Sequence, residues 1–393
     1  MVIKQKQKIL FLTRTLGRAG VAVSLISVLK ALDLEKFDVT LGVQFPIKEL
    51  ENEIPASIRV IYYGDITSSL YRKLHDINSK LAAKKRNVLE TGLWHLLNKL
   101  EELRMAYKVR YCFKDQYDTA NAYHQGVASR YVMKRINAKK KIMWYHAAKI
   151  EQPWYKKLFA KADLIITDSE NARQIMLKEW GGDFASKTVS MHCLIPIEEI
   201  QTKAKESVDI EKQDGQLLLM SCGRLSEEKG MDLAVRAAAH IANARPEVDF
   251  RWIIVGGGPE SDRLEQLSAE LGIADKVKMV GFKSNPYPYF DVCDIYVQPS
   301  RLECFGITMA EALALGKPVI STDTAGGQEN VKNGVNGMLT EINDKSLAQA
   351  VISLLDDTDM YHTLCENVRQ KDYGEVRASA TQFINSVEMC NKK

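Results

Sequence analysis

The sequence predicts a two-domain α/β protein, each half a doubly wound parallel sheet covered by helices, with a cleft between the halves. Three observations predict it. The 393 residues exceed one ordinary core and fit two domains of roughly 150 to 200 residues each. Short β-branched and aliphatic runs alternate with longer segments of helical period in both halves. Between the halves, EEIQTKAKESVDIEKQDGQ at 198–216 is polar, charged and without apolar period, the composition of a linker.

The strands follow from those runs in order. In the first half they are KILFLT (8–13), DVTLGVQ (38–44), RVIYY (59–63), DTANAY (118–123), KIMWYH (141–146) and DLIITDS (163–169). In the second they are QLLLMSCGR (216–224), RWIIVGGG (251–258), VKMVGF (277–282), IYVQPS (295–300), PVIST (318–322) and GMLT (337–340). The domains are therefore expected at 1–200 and 201–375, with a terminal helix at 376–393 that can cross back to the first domain. Residues 66–115 interrupt the alternation with a helix-prone insertion, in which Leu70, Leu74, Ile77 and Leu81 recur at helical spacing and Leu93, Trp94, Leu96 and Leu97 form a second apolar cluster.

Composition narrows the function classes. With 46% hydrophobic and 26% charged residues the chain is an ordinary globular protein, neither collagenous nor disordered. The N-terminal run ILFL (9–12) is too short for a secretory core, and nothing approaches the ~18 to 20 apolar residues of a membrane span. Seven scattered cysteines without CxxC spacing argue against a disulfide framework and a zinc motif, so a reducing cytoplasm is expected. Residues 1–200 hold 33 Lys+Arg against 21 Asp+Glu, whereas residues 201–393 hold 21 against 29. The insertion alone holds 11 against 5. A basic half draws anionic surfaces, polyanionic acceptors or nucleic acid, and its cation-rich helices suit either packing on the domain or resting on an anionic membrane. No nucleic-acid reader motif accompanies the charge.

Three constellations bear on chemistry. GRLSEEKG (223–230) stands where a buried strand ends, the place where open α/β sheets bind ligands; Arg224 and Lys229 there can neutralise a diphosphate. WIIVGGGPESDRLEQL (252–267) fails the GxGxxG pattern, because the sixth position from Gly256 is Ser261, which disfavours hydride chemistry and leaves an ordinary turn. RLECFGITMAEALALGKPVIST (301–322) carries Glu303 and Glu311 across a loop-to-helix junction. Gly306 permits close backbone approach, the N–H groups of Ile307 and Thr308 open the helix towards an anion, and Glu311 can reach ribose hydroxyls with Glu303 left facing a sugar, although such a pair taken alone reads better as two surface glutamates flanking an amphipathic helix. The only DxD string, Asp357–Asp359, joins two helical segments and reads as a cap, so no metal is assigned.

In order and spacing, GRLSEEKG, VGGGPE, VKMVGF, DIYVQPSRLECFGITMAEALALGKPVI and AGGQENVKNGVNG resemble the family 4, or group 1, retaining glycosyltransferases, strongly over about residues 216–345 and weakly before. The resemblance implies the GT-B fold, two facing Rossmann-like domains with the nucleotide bound mainly to the second. It implies that Arg224 and Lys229 hold the donor diphosphate together with the amides of Ile307 and Thr308, that Glu303 lies beside the donor sugar, and that Glu311 binds the ribose. Phe282 and its neighbours resemble the base-binding edge. RAGVA (18–22) resembles the glycine-rich loop after the first strand, with Gly20 at the second glycine but Ala19 and Ala22 at positions that usually differ. His124 lies near a family histidine that touches the donor sugar, although a strand-end histidine is equally a structural residue. His146 matches a recurring position that lines the cleft, its role open.

The expectation is transfer from a nucleoside diphosphate sugar, UDP favoured over GDP, to a hydroxyl acceptor with retention, without metal or other cofactor. The family is thought to work front-side, the leaving diphosphate taking the acceptor proton. Charge points to a glycan or lipid-linked glycan acceptor in cell-surface polysaccharide or glycolipid assembly, at the cytoplasmic membrane face. Rival expectations are a soluble-product synthase of the sucrose, trehalose or glucan type, and a catalytically silent sugar-nucleotide-binding partner of a transferase.

Overall fold

The computed structural model describes residues 6–17, 20–64, 88–146 and 154–370. The first sheet holds β1 (Gln7–Thr13), β2 (Phe37–Val43), β3 (Arg59–Tyr62), β4 (Tyr117–Ala122), β5 (Ala138–Tyr145), β6 (Leu164–Thr167) and β7 (Thr188–Ser190), in the order β3-β2-β1-β4-β5-β6-β7. The second holds β8 (Leu217–Cys222), β9 (Phe250–Val255), β10 (Val277–Gly281), β11 (Ile295–Gln298), β12 (Val319–Thr322) and β13 (Gly337–Thr340), in the order β10-β9-β8-β11-β12-β13. All ladders between these strands are parallel. Every strand expected from the sequence is present. The one unforeseen, β7, is the three-residue TVS, too short and too polar to stand out as a run.

The strands are legible because both faces of each sheet are covered. Leu10 and Leu12 of β1 pack into one core with Met143, Phe159 and Trp180, while Ile9 and Phe11 pack into the opposite one with Leu25, Leu29 and Leu41. In the second sheet Leu219, Trp252 and Val297 face the helix Met231–Ala244, and Met220, Ile253 and Tyr296 face the helix Ile307–Ala314. Trp252 is fully buried yet satisfied, its Nε1 donating to Ser221 Oγ at 3.0 Å.

Each sheet reverses its winding once, between β1 and β4 and between β8 and β11. Loops leaving the carboxyl ends of such neighbours diverge and open a crevice. The carboxyl ends of the two sheets face one another: Ser169, just after β6, donates to the carbonyl of Cys304, after β11, and Asn171 Nδ2 donates to the carbonyl of Ala325, after β12. Cys193, Ile195 and Ile200 complete the seam against Phe305, Ala310 and Ala314.

The stretch read as a linker departs from that reading at its start. Ile197–Lys203 is a helix docked in the seam through fully buried Ile200, while Glu199 bridges Lys30 and Lys203 on the outside. One apolar residue in a charged turn gives no periodic signal, yet it suffices once a socket awaits it. Of the insertion, the helix Val88–Cys112 packs on the first core through Met105, Ala106 and Val109. Leu96, Leu100, Leu103, Tyr107 and Tyr111 recur on another line of that helix and are exposed. The predicted Leu70, Leu74, Ile77 and Leu81 stripe and the terminal helix at 376–393 lie outside the described residues, as do the side chains of Leu93, Trp94 and Leu97. Among the described residues no helix is long and apolar enough to cross a membrane.

Candidate active site

The second switch point gathers the residues predicted from the second half. After β8 the loop passes Gly223 and exposed Arg224, makes one 3-10 turn at Glu227–Lys229, and closes on Gly230 at φ +62°. A Cβ at Gly230 would lie 2.1 Å from the Pro299 carbonyl oxygen, so only glycine lets this loop touch the one after β11. The loops are then stitched: the N–H groups of Arg301 and Leu302 donate to the Glu228 carbonyl, and Arg301 grips Asp232 through both guanidinium nitrogens at 2.7 Å. The result is a Lys229 Nζ to Glu303 Oε2 distance of 2.6 Å. Arg224 engages no carboxylate among the described residues. The glycines at 256–258 serve the same packing, since a Cβ at Gly256 or Gly258 would meet the carbonyl oxygens of Gly223 and Leu225.

Glu303 is fixed from behind by a polar relay. Tyr296 and Thr308 hydroxyls donate to Oε1 of fully buried Gln298, whose Nε2 donates to Ser300 Oγ at 2.7 Å; Ser300 in turn reaches Glu303 Oε2 at 3.4 Å. Below it Gly326 donates its N–H to the Glu303 carbonyl, and a Cβ there would fall 2.7 Å from Glu303 Cγ. Gly306, at φ +78°, turns the chain into the helix Ile307–Ala314, whose first-turn N–H groups on Ile307 and Thr308 have no intrahelical acceptor.

Glu311 sits one turn further in, only 6% exposed. Burial pushes its carboxyl up to about 7, against the opposing hydrogen bond that Tyr287 Oη donates to Oε1 at 3.0 Å. Such a carboxyl is half-protonated near neutrality and takes its charge most readily with hydrogen-bond donors around it. Phe282 follows β10, 60% exposed, with its Cβ beside Gly257.

From the first sheet, Gly20 opens the helix Gly20–Ala31 so near the second domain that a Cβ would lie 3.1 Å from Ile307 Cδ1. Arg18 and Ala19 lie outside the described residues. His124, after β4, has Nδ1 2.7 Å from the Gln125 carbonyl oxygen; burial, with His146 and Arg14 nearby, lowers its pKa and keeps the ring neutral. His146, after β5, is a buried side chain: its Nε2 donates to the Tyr123 carbonyl at 3.0 Å and its ring stacks on Trp144. Asp357 caps the helix Thr358–Arg369 by accepting from Met360 N–H at 2.9 Å, as its sequence position suggested.

Several participants carried no sequence signal. Gln298, Ser300 and Tyr287 act through burial, which periodicity does not reveal. At the seam, Glu329 accepts from His192 Nε2 at 2.7 Å and from the N–H groups of Glu170 and Asn171 at 3.2 and 3.4 Å, capping a first-domain helix from the second domain. Against its burial, these donors hold the Glu329 carboxyl below the usual range.

Residues 202–371 match the family described as glycosyl transferases group 1. A Campylobacter jejuni relative, N-acetylgalactosamine-N,N'-diacetylbacillosaminyl-diphospho-undecaprenol 4-alpha-N-acetylgalactosaminyltransferase, is 30% identical over 51% of this chain and 53% of its own. The lipopolysaccharide core biosynthesis glycosyltransferase LpsE of Rhizobium meliloti is 29% identical over 42% of this chain and 46% of its own. The chain thus spans about half the length of the curated relatives it matches. Solved structures align throughout: Anabaena HepE with UDP, 20% identical, covers 98% of this chain and 100% of its own at TM-score 0.69. A point mutant of Staphylococcus aureus TarM, in complex with Fondaparinux, alpha-GlcNAc-glycerol and UDP, is 12% identical and covers 97% and 99% at TM-score 0.71. At these identities the likeness establishes the fold, GT-B.

Proposed function

Proceeding from a GT-B protein whose residues 202–371 belong to the glycosyl transferases group 1, we propose that it moves a sugar from a nucleoside diphosphate donor to a hydroxyl acceptor, with retention and without a metal. The observation that carries the reading is the convergence of Lys229, Glu303, Glu311 and the amides of Ile307 and Thr308 at one switch point. Lys229, Arg224 on the same loop and two aligned amides supply, without reorganisation, the positive field that a departing diphosphate needs, each such donor being worth about 10²- to 10³-fold in rate. Ionised Glu311 accepts from the ribose hydroxyls. Glu303, drawn to Lys229 and braced by Ser300, faces the sugar carbon that gains positive charge as the bond to the diphosphate lengthens. The leaving diphosphate takes the acceptor proton, so neutral His124 serves as a contact and not as a base.

UDP is the favoured nucleotide of the donor, in keeping with the UDP complex of HepE. A glycan or lipid-linked glycan acceptor in cell-surface assembly is supported by the basic first half, by the exposed Leu96 to Tyr111 line, and by the Campylobacter jejuni relative, named for a diphospho-undecaprenol acceptor. Incubation with α-configured UDP-sugars in magnesium- and manganese-free buffer, followed by NMR of the new anomeric signal, tests the reading. An α product is expected; a β product, or turnover only when those ions are added, contradicts it. Failure to sediment with anionic vesicles would move the acceptor to a soluble one.

A further inference from the structure

Away from the donor loops, the last three strands of the first sheet bring three side chains to one buried corner of the seam. His146 follows β5, Asp168 follows β6 and Cys193 lies just beyond β7. Their ligand atoms lie within 4.8 Å of one another. All three side chains are nearly inaccessible.

The polar accounting at this corner does not close. The Tyr123 carbonyl can only accept, so His146 Nε2 carries the proton of that 3.0 Å bond and leaves the Nδ1 lone pair pointing elsewhere. What Nδ1 faces is Asp168 Oδ2, another acceptor, at 3.6 Å, too long for a hydrogen bond. Asp168 Oδ1 is buried and has no partner among the described residues. Two acceptors held face to face, one of them a carboxylate with an orphaned oxygen, lack a cation between them.

We propose that His146 Nδ1, Asp168 and Cys193 Sγ bind one divalent transition-metal ion of zinc-like preference, which ties together the carboxyl ends of β5, β6 and β7. Ligands at 2.0 to 2.3 Å around a tetrahedral ion stand about 3.3 to 3.8 Å apart, and the His146–Asp168 separation of 3.6 Å lies in that range. The carbonyl bond on Nε2 is the outer-shell contact that orients a metal-binding imidazole. Charge balances as well. The Cys193 thiol gives up its proton as the S–metal bond forms; carboxylate, thiolate and ion then sum to zero in a buried site. The ligands come from three separate loops, which is why the cysteine spacing shows no zinc pattern. With three protein ligands, the fourth tetrahedral position would be taken by water; the ion ties the loops together and takes no part in the donor chemistry, and the inference does not rest on the transferase reading.

The test uses the full chain, stripped with a chelator and titrated with Co²⁺ and then Zn²⁺. One equivalent is expected, with a thiolate-to-cobalt charge-transfer band, displacement by zinc, and release of one proton per ion. Cys193→Ser abolishes the band and Asp168→Asn weakens binding at least tenfold, while Cys304→Ser, whose thiol donates to the His146 carbonyl at 3.6 Å, retains it. Should Cys193→Ser fail to fold, proton release by the wild-type chain and the Asp168→Asn affinity carry the test. Absence of the band and of proton release in the wild type, a band that survives Cys193→Ser, or an NMR signal showing His146 doubly protonated in a metal-free chain that binds no ion, would each overturn the proposal.

Discussion

Glu311→Gln offers a stability signature as well as a loss of function. Burial raises the folded carboxyl from 4.5 to about 7. A carboxyl raised in the folded state costs nothing where both states are protonated, and destabilises progressively as pH climbs from the unfolded value through the folded one. At 1.36 kcal/mol per unit, the cost is about 1 kcal/mol at pH 5 and about 3 kcal/mol at pH 8. Glutamine keeps the shape and removes the charge, so the variant's advantage over wild type grows by about 2 kcal/mol across that interval. At roughly 2 to 4 °C per kcal/mol, the gap in melting temperature widens by about 4 to 8 °C between pH 5 and pH 8. Parallel thermal melts of the ligand-free proteins measure it. The variant melting above wild type at pH 8, with lost donor binding, is the expected pattern, a buried charge retained for a ligand at the expense of stability. A gap independent of pH would refute the claim that Glu311 is held in an unfavourable ionisation state.

Tyr287→Phe removes the bond that opposes this shift, so donor affinity, which strengthens as Glu311 ionises on raising pH, gains its strength at higher pH than in wild type; calorimetric titration with UDP from pH 6 to 8.5 reads it. Gly326→Ala forces the 303–305 loop aside, because the new Cβ falls 2.7 Å from Glu303 Cγ and 2.9 Å from the Phe305 carbonyl; turnover is expected to fall about 10²-fold with the fold retained by circular dichroism. Glu329→Gln exchanges charge-assisted bonds for neutral ones at the seam, weakening it by about 1 to 3 kcal/mol, which hydrogen exchange detects as faster opening of the Glu170 and Asn171 amides.

What was legible in the sequence follows from where burial leaves a pattern. Strands covered on both faces, such as β1 with Ile9 to Leu12 all inaccessible, declare themselves as apolar runs, whereas β7 at the sheet edge does not. That Lys229 and Glu303 serve one site was expected from the family resemblance; their contact follows from strand order, because both loops leave neighbouring strands at a switch point, and not from their separation along the chain. The relay through Gln298 and Ser300, and Tyr287 behind Glu311, were invisible, because a polar residue in a buried strand or a short helix has no period. The bond between His192 and Glu329 spans 137 residues and two domains, so it exists only once the seam forms.

The donor site itself is tested most directly by the thermal stability of the purified chain with UDP-, GDP- and ADP-sugars in the absence of added metal, beside Lys229→Ala and Glu311→Ala. Stabilisation by one nucleotide, UDP by expectation, that both substitutions abolish is the predicted result. A folded wild type indifferent to all three donors, or one stabilised equally well without Lys229 and Glu311, would contradict the assignment of these residues to a nucleotide-sugar site.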